Sequence, residues 1–138
     1  MNRATLARVA FALAGVVLVV GAVSHASAYP RVARAVEGAA GLAPFFGQSL
    51  KLLWLGDFTT LLAVGVACLA LAARPGRAGP GLLALLVFIP AATGAWLYAF
   101  LGNFLPAHLM AAASALLLAG GCLRGAQPRG GEARSSTV

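Results

Sequence analysis

Three side chains of this sequence are best suited to chemistry, two histidines and one carboxylate. Asp57 lies inside a long apolar run, where an ionised group is costly and therefore usually faces the protein interior with a partner. His25 follows one apolar run and His108 begins another. Imidazole and carboxylate together can ligate zinc, copper or non-haem iron, relay a proton or bind a polar head group. We take His25, Asp57 and His108 as candidate ligand or metal residues, with a metal ion as the candidate cofactor.

Polar and aromatic neighbours could complete such a site. The candidate polar shell consists of Thr60, Thr93 and Asn103, and the candidate aromatic walls are Trp54, Trp96 and Tyr98. Aromatic side chains at the ends of apolar runs are also typical of the belt at a membrane surface. The sequence contains no HExxH, no CxxC and no pair of histidines at helical spacing. The alternative interpretation is that Asp57 only fixes helix register and that each histidine is a hydrated helix end.

The composition indicates that lipid, rather than water, surrounds most of this chain. Hydrophobic residues make up 61% and charged residues 9%, whereas soluble domains carry about a quarter charged residues. Four apolar runs approach or exceed the roughly 18 to 20 residues that cross a bilayer as a helix. The sequence therefore predicts an all-α fold, an integral membrane four-helix bundle. The predicted spans cover about residues 5–24, 49–73, 81–101 and 105–123.

The longest loop, residues 25–48, contains a predicted short helix at about 30–38. Pro30 can begin this helix because the first helical residue needs no N–H. Arg31, Arg34 and Glu37 share one face of it, which is typical of a helix lying at a membrane surface. A single transmembrane domain would thus cover residues 1–123. The polar residues 124–138 predict a disordered cytoplasmic tail.

The distribution of basic residues predicts the orientation. The net charge of +7 could indicate nucleic acid, but the basic residues are dispersed between apolar runs, so we expect the lipid bilayer as partner and no nucleic acid. Seven arginines fall in the N-terminus, the middle loop and the tail, against three basic residues in the outer loops and at the start of the second span. This asymmetry places the N- and C-termini in the cytoplasm. High Ala, Gly and Arg with low Lys is typical of a GC-rich bacterial genome, which indicates the bacterial inner membrane.

The first apolar run has a second interpretation. Ala26, Ser27 and Ala28 match the small-residue pattern of a signal-peptide cleavage site. Residues 1–28 would then be removed, and His25 with them. We expect a retained first helix.

Small residues predict where the helices pack, because lipid gives helices no hydrophobic reason to associate and close contact depends on small side chains. The fourth span has a row spaced by four residues. This predicted packing row consists of Ala107, Ala111, Ala115 and Ala119.

Short segments of the chain resemble a loose class of small uncharacterised four-helix bacterial inner-membrane proteins. In that class a histidine ends the first helix, a tryptophan with polar neighbours enters the second, and a histidine opens the fourth. The matching residues are His25 in VSHAS, Trp54 to Thr60 in WLGDFTT, and His108 in LPAHLM. Asp57 stands where another histidine or a hydroxyl is expected, which puts a shared ligand set in doubt. The resemblance implies location and architecture, and no activity.

The leading functional prediction is a non-enzymatic accessory or assembly subunit. No catalytic motif and no extramembrane domain is visible in the sequence, and small-residue faces could dock other membrane subunits or a second copy. The alternatives are an outer-face ligand, metal or proton-relay site on the three candidate residues, and a small oligomeric transporter.

Reporter fusions test orientation and cleavage together. Alkaline phosphatase, which is active only outside the cytoplasm, should be inactive when fused after Val138 and active when inserted between residues 39 and 43, because basic residues retain both termini inside. An N-terminal epitope tag should stay on the full-length chain. Active phosphatase at the C-terminus would contradict the orientation, and release of the tag near residue 28 would favour a signal peptide.

Overall fold

The computed structural model describes residues 2–74 and 79–125, and every regular element in these ranges is an α-helix. The helices are α1 (Arg3–Ser27), α2 (Tyr29–Glu37), α3 (Pro44–Ala73), α4 (Pro80–Leu101) and α5 (Leu105–Gly125). Four of them, α1, α3, α4 and α5, are long and apolar enough to cross a membrane. The predicted all-helical fold with four helices of spanning length is therefore confirmed.

Helix ends account for the differences from the predicted bounds. The third helix of the chain, α3, begins earlier than the predicted residue 49 because Pro44 occupies its first turn, where the missing N–H costs nothing. The side chain of Asn2 accepts a hydrogen bond of 2.8 Å from the backbone of Thr5 and so starts α1. Helix α4 ends at Leu101 and is followed by Gly102, whose φ of 76° favours glycine.

The predicted tail begins inside a helix, since α5 continues to Gly125. Residues 126–138, which make up the rest of that predicted disordered segment, lie outside the described residues, as do Met1 and residues 75–78 of the connection between α3 and α4.

The four long helices contact one another in a row rather than in a closed ring. Helix α1 is one of the two inner helices of this row and packs against α3 on one side and α5 on the other. Helix α4 packs against α5, whereas α3 and α4 make few contacts with each other. The described residues thus form an open bundle in the order α3, α1, α5, α4.

Helices α1 and α3 approach most closely at two glycines. A Cβ atom on Gly15 would lie 2.9 Å from the carbonyl oxygen of Gly65, and a Cβ atom on Gly65 would lie 3.0 Å from the backbone nitrogen of Val19. Such distances are shorter than van der Waals contact, so only glycine permits this backbone approach. We call this contact the glycine crossing.

Glycines also let α5 contact its two neighbours. The ring of fully buried Phe11 on α1 lies where a side chain on Gly120 would be, with ring atoms 2.8 to 3.1 Å from an added Cβ. A Cβ atom on Gly94 of α4 would lie 3.1 Å from Cβ of Met110. Small residues therefore determine each major helix contact, as expected in lipid.

The predicted alanine packing row on the last helix is largely wrong for contacts within this chain. Ala107 is buried, but Ala111, Ala115 and Ala119 are exposed. The buried face instead consists of Ala107, Met110, Ala113, Ser114, Leu117 and Gly120. At 3.6 residues per turn a spacing of four rotates by about 40° at each step, so the row leaves the contact face after its first member.

Helix α2, at the position of the predicted surface helix, packs by its apolar side against the first turns of α3. A Cβ atom on Gly47 would lie 3.2 Å from Val36. On the polar side, Lys51 and Glu37 form an ion pair of 2.6 Å. Arg31 and Arg34 are exposed, so of the predicted charged face only Glu37 forms an ion pair with α3.

Replacing Gly15 with valine should destabilise the fold by about 1 to 3 kcal/mol or more, because the added atoms overlap with Leu69 and the Gly65 backbone. Unfolding in dodecyl sulfate, followed by circular dichroism, measures this free energy. Gly81→Val is the matched control, since nothing lies within 4 Å of a Cβ atom there, and it should change stability by less than about 1 kcal/mol. Equal losses in the two variants would contradict the glycine crossing.

Candidate functional site

His25 and Trp54 form a reciprocal pair that joins the end of α1 to α3. The indole Nε1 of Trp54 donates a hydrogen bond of 3.0 Å to the carbonyl oxygen of His25. In return, Nε2 of His25 lies 3.1 Å from the carbonyl oxygen of Trp54. The two rings are stacked, with centroids 3.9 Å apart and planes inclined by 12°.

This pairing fixes the tautomer of His25. A carbonyl oxygen can only accept, so the hydrogen on the imidazole must sit at Nε2. In the neutral ring, Nδ1 is then an acceptor. In neutral His25 the donor is therefore Nε2 and the acceptor is Nδ1.

Local structure explains why these two residues meet. His25 lies in the last turn of α1, where its carbonyl oxygen accepts a capping hydrogen bond of 3.1 Å from the backbone of Ala28 and keeps a second lone pair for another donor. Trp54 carries an N–H group that, in apolar surroundings, also needs a partner. The sequence predicts Trp54 as an aromatic wall or belt residue. In the structure its indole also donates a hydrogen bond to the His25 carbonyl, which the sequence did not predict.

Asp57 lies beside this pair. It follows Trp54 by three residues and so shares its face of α3. Its Oδ2 is 3.5 Å from Nε2 of His25, and the two side chains are 40% and 22% exposed, respectively. A charge-assisted hydrogen bond is usually about 2.7 to 2.9 Å long, so this contact is loose and Asp57 keeps acceptor capacity. The structure brings together two of the three predicted ligand residues.

A cavity of about 430 Å³ opens next to the His25–Asp57 pair, and we call it the outer cleft. All four long helices contribute to it. Most of its lining is apolar, including Val20, Gly21, Leu61, Leu97, Leu109 and Met110. His25 and Asp57 are its ionisable lining groups within the described residues, and Ser24 and Thr93 provide hydroxyl groups. The arrangement is a mainly apolar chamber with a polar pair at one end.

His108 is not part of this arrangement. Its Nδ1 lies 2.6 Å from the hydroxyl of Tyr98, and the two rings meet edge to face. His108 is exposed, like the alanine row on the same helix, so the prediction that it points inward is wrong. Within residues 2–74 and 79–125, no group of three His, Cys, Asp or Glu side chains could hold a metal ion. The predicted three-residue metal site is therefore not formed.

Of the other predicted site residues, some line the outer cleft and others lie away from it. Thr93 lines the outer cleft. Thr60 donates a hydrogen bond of 2.9 Å to the carbonyl oxygen of Gly56 and is exposed, as is Asn103. Trp96 stacks on Phe100 and is 64% exposed. Of the predicted polar shell, Thr93 alone lies at the cleft.

Trp54→Phe should lower the free energy of unfolding by about 1 kcal/mol, because it keeps an aromatic ring but leaves the His25 carbonyl without its indole donor. Unfolding in dodecyl sulfate measures the change. Trp96→Phe is the matched control, since its ring is 64% exposed and stacks on Phe100, and the expected change is within about 0.5 kcal/mol. An equal effect of the two substitutions would show that the pair adds no stability.

Comparison of the chain with models of known protein families, with curated proteins and with solved structures found no match. The resemblance to small four-helix inner-membrane proteins therefore stays an expectation from short sequence segments. The function has to be argued from the outer cleft and its polar pair.

Proposed function

We propose that this protein is a multi-pass protein of the bacterial inner membrane with both termini in the cytoplasm, and that the outer cleft binds an amphiphilic ligand from the bilayer. The observation that carries this proposal is the position of the His25–Asp57 pair at one end of an apolar cavity lined by all four long helices. Such a combination of apolar walls and a few polar groups is typical of small-molecule sites.

Helix length and charge support the membrane placement. Four helices reach spanning length, and basic residues are concentrated on one side of them. About 20 residues cross the hydrocarbon core, and counting back from the end of α3 at Ala73 by that length reaches Trp54. Asp57 then lies about one turn inside the outer boundary, at the level where a polar head group meets its tail.

The open arrangement of helices supports entry from the side. Helices α3 and α4 both line the outer cleft but make few contacts with each other. An apolar ligand could therefore pass between them directly from the bilayer without crossing water. An unfilled apolar cavity forfeits dispersion contacts, so a lipid-like occupant would stabilise the fold as well.

The other predicted roles are alternative proposals. A metal site would need a third ligand beside His25 and Asp57, and the described residues do not supply one. An accessory or assembly subunit, or a small oligomeric transporter, would need a docking face for a partner or a second copy. The exposed row Ala111, Ala115 and Ala119 is the surface on which a helix could approach closely.

Filling the outer cleft tests the proposal. A Cβ atom on Gly21 would meet only the end of Met110, at 3.9 Å, so Gly21→Leu should keep the backbone intact and direct its side chain into the cavity. We expect one amphiphile per chain to copurify in mild detergent with the wild type and with Gly81→Leu, the matched control, and about tenfold less with Gly21→Leu. Mass spectrometry of the extracted lipid gives the ratio, and circular dichroism checks the fold.

Two results would contradict ligand binding in the cleft: equal retention in all three proteins, or no retained amphiphile in any of them. A stoichiometric protein subunit in place of the amphiphile would support the accessory role.

A further inference from the structure

We propose that the ligand of the outer cleft is a quinol-type lipid, that is, an uncharged aromatic ring that bears hydroxyl groups and carries a single apolar tail. The inference rests on the proposed function and adds the chemical class of the ligand. Its basis is the charge, the hydrogen-bonding capacity and the size of the cleft.

Charge excludes an anionic head group. No lysine or arginine lines the cleft among the described residues. The nearest basic side chain along α3, Lys51, is already paired with Glu37 at 2.6 Å. A carboxylate or phosphate head would therefore face Asp57 without a permanent cation to balance the two like charges, which is unfavourable in low dielectric. The head group should therefore carry no negative charge.

Hydrogen bonding favours a head group that donates. The carboxylate of Asp57 only accepts, and its 3.5 Å contact with His25 leaves room for a closer donor. The Nε2 hydrogen of His25 is already directed to the Trp54 carbonyl. A hydroxyl group thus finds an acceptor in Asp57, whereas a carbonyl group finds no unused donor on this pair and could accept only from other lining groups such as the hydroxyls of Ser24 and Thr93. A head group that bears hydroxyls, as in the reduced form of a quinone, therefore fits the polar pair.

Shape and volume favour one ring with one tail. The stacked His25 and Trp54 rings both belong to the cleft lining, and aromatic side chains are suitable partners for a ligand ring. A volume of about 430 Å³ falls in the lower part of the roughly 300 to 1,000 Å³ range of small-molecule pockets. It accommodates a ring and the first part of a single chain more readily than a lipid with two acyl chains.

Fluorescence of Trp54 provides a direct test. The chain has two tryptophans, so in a Trp96→Phe background the signal comes from Trp54 in the cleft. The purified protein in detergent is titrated with four probes: decylhydroquinone kept reduced, its dimethyl ether, dodecanol and oleate. We expect saturable quenching by decylhydroquinone and about tenfold weaker binding of the ether, which has lost its donors. Dodecanol, without a ring, and oleate, with a charge, should also bind at least about tenfold more weakly.

Substitutions of Asp57 test whether this residue causes the preference for the hydroquinone over its ether. Asp57→Leu should reduce the ratio of hydroquinone to ether affinity to about one, because the acceptor is gone. Asp57→Asn keeps a carbonyl acceptor and should retain part of the preference. Gly21→Leu should abolish binding of both probes. Because the readout is a ratio of two probes on one protein, a general loss of stability would not imitate it.

Each alternative result would contradict one specific part of the quinol proposal. Equal affinity for the ether would overturn the hydrogen bond to Asp57, and equal affinity for dodecanol would overturn the ring. A preference for oleate would overturn the neutral head group. If an amphiphile copurifies with the wild type but decylhydroquinone neither binds nor displaces it, the quinol inference fails while ligand binding in the cleft stands.

Discussion

The glycine crossing between α1 and α3 determines where the polar residues of this protein can lie. Gly15 and Gly65 bring two antiparallel helices into backbone contact, and because the helices are rigid, register at one point fixes register along their whole length. His25 lies ten residues beyond Gly15 and Trp54 eleven residues before Gly65, which corresponds to about 15 Å along each helix. The two residues therefore arrive at the same level, and the reciprocal hydrogen bonds secure an alignment that the glycines have already set.

The same alignment explains how an acidic side chain is accommodated in an apolar helix. Asp57 shares a face with Trp54, so the contact that orients the indole also places the carboxylate beside the imidazole. The cleft below it exists because the helices contact each other in an open row, with α3 and α4 held apart by α1 and α5. The polar pair depends on the contact between α1 and α3, and the opening between α3 and α4 depends on the open row of helices; together they give an apolar cavity with a polar pair at one end.

The sequence predicted elements well and contacts poorly, for physical reasons. Long apolar runs bounded by prolines and glycines indicate helices of spanning length directly, so α1, α3, α4 and α5 could be placed. These helices are apolar all round, however, so hydropathy does not mark the face that meets another helix. The alanine row on α5 was chosen by spacing alone and faces outward. The contact between His25 and Trp54, and the position of His108 away from them, depend on how helices that are far apart in the sequence pack against each other. Glycines near the middle of α1 and α3 were the available signal.

The inner position of α1 has a consequence for the order in which the chain is made. Its partners, α3 and α5, are encoded later, and α5 ends at Gly125, about 100 residues after α1 is complete. Ribosomes add roughly 5 to 20 residues per second. Gly120, the residue whose missing side chain makes room for the ring of Phe11, is therefore synthesised on the order of 5 to 20 seconds after Phe11. During that interval α3 can already pack against α1, but the part of the first helix that contacts α5 lacks its partner. Assembly of the native bundle is thus a late event, completed only when the last helix emerges.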